Sequence, residues 1–101
     1  MSTYFAIQTL DKPGHAQLRA DVRAEHLVYL KAHVHRLVAA GGLLEDDGVA
    51  TAGGGILLIE ATDRADAERF AHEDPYAKAG LFQSITVTRW RKAFFDGQCL
   101  V

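Results

Sequence analysis

Five histidines, one cysteine and two serines are the side chains of this sequence best suited to moving a proton, holding a metal or attacking a carbon. His33 and His35 are two residues apart in a stretch that reads as helix, a rotation of about 200°, so they point to nearly opposite sides and cannot share a metal there. No cysteine or carboxylate stands at zinc-like spacing around them, and no metal site is expected. Ser2 and Ser84 lack the turn that presents a nucleophilic serine. Cys99 lies in the tail, with nothing beside it to activate a thiolate. His26 differs from His15, His33, His35 and His72. On the helix it falls beside Leu30 and Leu37, at the border of an apolar stripe. An imidazole so placed is partly shielded from water, and its charge responds to a neighbour near neutral pH. It can equally pack a ring face and leave one nitrogen wet. The residues alone allow both.

The natural partner is a carboxylate. In Asp74-Pro75-Tyr76-Ala77-Lys78-Ala79-Gly80 the aspartate has the position of an N-cap, proline that of the first helical residue and glycine that of the exit. A capping carboxylate keeps lone pairs to spare, so it can also orient an imidazole. The run Gly53-Gly54-Gly55 leads into a strand rather than a helix N-terminus, and no Gly-Lys-Ser/Thr follows. It reads as a hairpin loop, not a phosphate cradle. Trp90 between Arg89 and Arg91 lacks the aromatic-glycine signature of an RNA-binding sheet. Simple alternation explains it, with the indole on one face and the guanidiniums on the other.

These side chains must be carried by elements. Tyr4 to Leu10 is β-rich and ends at Asp11-Lys12-Pro13-Gly14, a strand and a turn. From about Arg23 to Ala40 the spacing predicts a helix, with Leu27, Leu30, Val34, Leu37 and Val38 on one face and Gly41-Gly42 as its stop. Leu43 to Ala50 reads as a weak acidic strand and Ile56 to Ala61 as a strong one. Asp63 caps a short helix with Ala67, Phe70 and Ala71 inward, the Asp74 helix follows, and Ser84 to Phe95 is a long β-rich run. The order β-α-β-β-α-β is that of a ferredoxin-like α+β domain, a four-stranded antiparallel sheet with two helices on one face. The strands are apolar on both sides: Tyr4, Ala6 and Leu10 against Phe5 and Ile7, and Ile56 and Leu58 against Leu57 and Ile59. Helices can cover only one side, so a second copy of the chain is expected on the other, as a homodimer with its sheets face to face.

Composition narrows the class. The 101 residues are 49% hydrophobic and 24% charged, which fits one folded domain over 1–101 and excludes a disordered chain. Eleven basic against 13 acidic side chains give a net charge of −2, with no basic field for nucleic acid. A single cysteine forms no internal disulfide, which points to a reducing compartment. Met1-Ser2-Thr3-Tyr4 lacks a signal peptide's basic start, and Ile56-Leu57-Leu58-Ile59 is too short to span a bilayer. A cytoplasmic protein with no membrane partner is expected.

Two segments resemble a known family. Arg23-Ala24-Glu25-His26-Leu27-Val28-Tyr29-Leu30 is similar to the helix-start segment of the YCII (YciI-like) family. Glu73-Asp74-Pro75-Tyr76-Ala77-Lys78-Ala79-Gly80-Leu81-Phe82 is similar to its Asp-Pro-Tyr stretch. The resemblance implies a dimeric α+β barrel with a cleft and a His-Asp pair as active site, at positions His26 and Asp74 here. It further implies relatives that dehydrochlorinate a chlorinated hydroxyhydroquinone, and similar barrels among muconolactone isomerases and cofactor-free monooxygenases. The sequence departs from the family at Gly41-Gly42-Leu43-Leu44, where a Gly-Pro pair is common, and in the acidic run Glu45-Asp46-Asp47.

Two functions follow. In the first, the chain is an enzyme without metal or organic cofactor. His26 moves a proton on a small cyclic or aromatic substrate, Asp74 fixes the imidazole, Tyr76 lines the pocket, and Arg19 or Arg23 attracts an anionic group, giving lyase or isomerase chemistry. In the second, the same cleft belongs to a non-catalytic dimeric module that binds a metabolite or a partner, and Asp74 only caps its helix.

Overall fold

A computed structural model describes residues 3–101. Strand β1 (Tyr4–Asp11) leads to helix α1 (Ala16–Ala32), a single 3-10 turn (Val34–Arg36) and strand β2 (Leu37–Leu44). Strand β3 (Thr51–Glu60), helices α2 (Arg64–Glu73) and α3 (Pro75–Lys78) and strand β4 (Phe82–Trp90) follow, and a small hairpin of β5 (Phe94–Phe95) and β6 (Gln98–Cys99) ends the chain. The sheet order is β2-β3-β1-β4 and each neighbouring pair is antiparallel. This is the ferredoxin-like α+β arrangement expected from the element order. No helix among the described residues is long and apolar enough to cross a membrane.

The sheet's two sides differ in what covers them. Phe5, Ile7, Leu57 and Ile59 are buried beneath the helices with Leu30, Ala67, Phe70 and Ala71. Each large side chain so buried contributes roughly 1.5–3 kcal/mol. On the opposite side Leu10 is 54% and Ile56 42% exposed, although both belong to apolar strands.

Helix α2 starts as Asp63 predicts: its carboxylate accepts from the Asp66 N–H at 2.8 Å. Asp66 in turn accepts from the Thr62 N–H and from Arg36, at 3.0 and 2.8 Å. At the other end of that helix, the Tyr29 hydroxyl donates to the Phe70 carbonyl at 2.8 Å, fastening α1 to α2.

The first helix is not where periodicity puts it. It spans Ala16–Ala32 rather than 23–40, because Gln17-Leu18-Arg19-Ala20 are good helix formers whose exposed faces carry no apolar rhythm. It ends before Val34, which is 66% exposed, and Leu37 enters β2 opposite Ile59. Leu37 and Val38 fit either period, and pairing with an already apolar β3 decides for the strand. The helix being over, the rings of His33 and His35 lie 6.5 Å apart instead of on opposite sides. Gly41-Gly42 sit inside β2, and Gly53-Gly54-Gly55 inside β3, so neither run is a stop or a loop. The hairpin between them is the acidic run. Glu45 and Ala50 close it, Asp47 accepts from the Val49 and Ala50 N–H groups, and Gly48 takes φ +73°. Aspartate and glycine are stronger turn formers here than glycine alone. The run from Ser84 to Phe95 is also divided: β4 stops at Trp90, and β5 and β6 turn on Asp96 and Gly97 at φ 52° and 73°, the values of a tight hairpin turn.

Candidate active site

Only Leu30 of α1 is buried. The N-terminal half of the helix stands off the sheet, and between it and β2 and β3 lies a cavity of about 610 Å³. Ala16, Ala20 and Leu27 line it from the helix, and Ala40, Leu43 and Leu57 from the strands.

His26, Asp74, Tyr76, Arg19 and Arg23 all edge this cavity. His26 comes from the third turn of α1 and Asp74 from the junction of α2 and α3, 48 residues apart in the chain. The imidazole Nδ1 lies 2.9 Å from both carboxylate oxygens. A carboxylate accepts only, so Nδ1–H donates and Nε2 is left without that proton. Asp74 is 1% exposed and the His26 side chain 15%. Oδ1 of the same carboxylate accepts from the Tyr76 N–H at 2.9 Å, which is the cap. Pro75 opens α3 with a fixed φ, and the chain leaves it through Gly80 at φ +79°. The Leu81 N–H then returns to the Tyr76 carbonyl, and the Lys12 N–H to the Leu81 carbonyl. Asp74 is thereby held from both sides.

The Tyr76 ring stacks on His26, with centroids 4.1 Å apart and planes 20° apart, and the Arg19 guanidinium lies 4.6 Å from its centre. Burial pushes the Tyr76 hydroxyl above the ordinary phenol range. Arg19 donates from Nε and Nη2 to the two oxygens of Asp11, at 2.6 and 3.0 Å. That bond holds the guanidinium above its usual basicity against some loss from burial. Arg23 is exposed at the rim.

Two residues of this neighbourhood escape a reading of the sequence for chemistry. Asp11 looks like part of a turn, yet it terminates β1 where α1 begins and so neutralises Arg19. Thr9 shares the side of β1 that Phe5 and Ile7 occupy and is 4% exposed. A polar residue at period two among buried apolar ones is the available signal. Among the described residues no three of the histidine, cysteine and carboxylate side chains gather as a metal cluster would need.

A β2-β3-β1-β4 antiparallel sheet with its helices on one side is the ferredoxin-like α+β arrangement, and the solved structures it resembles belong to the dimeric α+β barrel class. Within it the chain belongs to the YCII family: the YCII-related domain matches residues 3–91. It is 30% identical over 97 residues to protein YciI of Escherichia coli, covering 89% of this chain and 98% of YciI. An uncharacterized protein of Haemophilus influenzae is also 30% identical over 97 residues, covering 90% of this chain and 99% of that one. Among solved structures, the 5-chloro-2-hydroxyhydroquinone dehydrochlorinase TftG of Burkholderia phenoliruptrix, in complex with 2,5-dihydroxybenzoquinone, is 35% identical. The alignment covers 87% of this chain and 93% of TftG, with a TM-score of 0.78.

Proposed function

We propose that this chain is a small-molecule enzyme in which His26, held by Asp74, transfers a proton on a small cyclic or aromatic substrate. The supporting observation is the double contact of His26 Nδ1 with a buried carboxylate at the edge of a cavity large enough for such a ligand. With Nδ1–H committed to Asp74, Nε2 is the ring nitrogen able to take a proton. An O–H or C–H proton passes to it, and the electron pair left behind enters the ring. If a leaving group such as chloride then departs with its own pair, the reaction is a lyase step of the dehydrochlorinase kind. If His26 returns the proton at another carbon, it is an isomerisation. Asp74 stabilises the imidazolium in either case. Tyr76 supports the ring by stacking, and Arg23 at the rim and Arg19 deeper in draw in an anionic group. The enzyme works as a homodimer that covers the exposed side of the sheet.

The test is turnover in a panel of halogenated and hydroxylated quinols. His26→Ala should lower kcat/KM by roughly 10²–10⁴-fold, the usual worth of a positioned acid or base, with the circular dichroism unchanged. Asp74→Asn, which still caps α3, should lower it over a similar range. A His26→Ala enzyme that retains turnover rules the role out, and ligand binding without turnover in the wild type favours the non-catalytic module.

A further inference from the structure

The four-stranded sheet does not extend into the β2–β3 hairpin. Strand β1 accompanies β3 only as far as Gly54, opposite Leu10, and beyond that level two strands remain. The pairing of β2 with β3 shifts at the same place, from Gly42 opposite Gly55 to Leu44 opposite Thr51. Gly53 lies in the stretch of β3 passed over. It takes φ +83°, and its N–H donates to Thr51 Oγ1 at 3.0 Å. A two-stranded ribbon is marginal by itself in water, and this one joins the sheet through a bulge.

The glycines at this level have different causes. Gly54 and Gly55 are forced by close approach, since a Cβ on either would strike the backbone of a neighbouring strand. Gly41 and Gly42 have no such reason. A Cβ on Gly41 would meet nothing within 4 Å and one on Gly42 nothing nearer than 3.9 Å, and neither backbone is left-handed. Glycine inside a strand weakens it. What this pair supplies is a soft joint, at the level where β1 stops and Gly53 bulges.

Beyond the joint the ribbon is tied to itself. The Glu45 N–H donates to the Ala50 carbonyl and the Gly48 N–H to the Glu45 carbonyl, while the Asp47 carboxylate accepts from the Val49 and Ala50 N–H groups. A tip so bonded moves as one piece. Leu44, Val49 and Thr51 of this ribbon line the cavity, yet Leu44 is 53% and Val49 83% exposed. They stand at its mouth with nothing to cover. Glu45, Asp46 and Asp47 are exposed as well. Carboxylates are not given up to an apolar cleft, so the tip stays in water while the apolar pair behind it swings inward.

We propose that residues 43–52 form a lid, hinged on Gly41-Gly42 and Gly53, which closes over the occupied cavity and lays Leu44 and Val49 on its guest. This rests on the reading of the cavity as a small-molecule site and gives that site a moving wall. Asp47 stands five residues past Gly42, about 16 Å at about 3.3 Å per residue, so a swing of about 20° carries the tip about 5 Å. A hinged closure excludes water from a reacting group such as His26 and sets how fast a ligand leaves.

The test is a distance measured by double electron–electron resonance. Asp46→Cys at the tip and Val28→Cys on the half of α1 around Leu30 carry spin labels in a Cys99→Ser chain, diluted into unlabelled chain. Calorimetry with 2,5-dihydroxybenzoquinone reports whether the cavity is occupied. On occupation the mean distance should shorten, by up to about 5 Å for the swing above. A bound chain whose distance stays at its free value overturns the lid and leaves the small-molecule reading intact. Gly41→Val adds a branched side chain opposite Ile56, where a Cβ meets nothing and faces away from the helices. In the free protein it should narrow the distance distribution to about half the wild-type width, because the joint loses its freedom. Should valine unsettle the fold, Gly41→Ala makes the same comparison with a smaller effect. Equal widths overturn the hinge whatever the quinone does. If the quinone does not bind, the small-molecule reading is weakened, and the widths alone decide for or against the hinge.

Discussion

The carboxylate of Asp74 has more acceptor capacity than a four-residue helix requires. One oxygen takes the Tyr76 N–H, and both oxygens lie at 2.9 Å from His26 Nδ1. The cap fixes the carboxylate in space, and the carboxylate then dictates which ring nitrogen carries the proton. Asparagine separates these duties. It caps as well as aspartate does, so Asp74→Asn should lose about 1 kcal/mol or less from the cap. Its amide, however, places a donor against Nδ1. Neutral His26 should accordingly change from the Nδ1–H tautomer to the Nε2–H tautomer, visible in long-range ¹H–¹⁵N correlation spectra. An unchanged spectrum would show that Asp74 does not set the tautomer. At this scale the sequence singles out five of the side chains that edge the cavity, among them Asp74 through a cap motif and His26 as a border histidine. It is silent on Asp11 and Thr9. Their importance lies in where α1 begins and which side of β1 faces it, and spacing along the chain carries neither.

At the scale of elements, α2 begins on two carboxylates with different duties. Asp63 caps the helix, while Asp66 reaches back to the Thr62 N–H and across to Arg36. The Thr62 N–H and the two arginines nearby hold the Asp66 carboxyl below its ordinary 3.8. Because folding lowers this value, the ionised form favours the folded state. Its contribution is whole above the ordinary carboxylate range and is lost as the pH falls through the folded-state value. Urea unfolding of wild type and Asp66→Asn should therefore differ at pH 7 and converge toward pH 3, and a gap that does not narrow would refute the assignment. The order of elements is legible because β1, β3 and α2 each carry a clear period or cap. The bounds of α1 and β2 are not. Gln17 to Val22 has helix propensity without an apolar rhythm, and Leu37-Val38 satisfies two periods until β3 is present to pair with it. The glycines mislead for a related reason: an isolated chain uses glycine to turn, whereas β3 uses Gly54 and Gly55 where a Cβ would strike the backbone of its neighbours.

For the whole molecule, the uncovered side of the sheet is the largest unbalanced feature. Tyr4, Ala6, Leu10, Ile56 and Leu58 share it, with Trp90 set edge-on to Tyr4. A two-fold axis through this side would set it against its own copy, and such a self-complementary patch is how homodimers close. Lysines introduced together at Leu10 and Leu58 would place charge in an apolar contact, at a cost of several kcal/mol. Sedimentation velocity should then show a monomer where the parent chain is a dimer, and a monomeric parent chain would refute the arrangement. The stand-off of α1 from the sheet has a consequence of another kind. Residues 16 to 26 are tied down by the polar contacts of Arg19 with Asp11 and of His26 with Asp74 but bury no side chain of their own fully, so this half of the helix has less apolar packing holding it shut than the half around Leu30. It opens more cheaply than the core strands, by local unfolding short of global unfolding. Its amides should exchange with deuterium ahead of those of β1 and β3, and exchange as slow as theirs would contradict this. A ligand in the cavity supplies the contacts the helix lacks, so occupancy and ordering of this half-helix become one equilibrium. Part of every binding event is then spent on tightening the protein, and affinity depends on how well the guest does the work of a missing core.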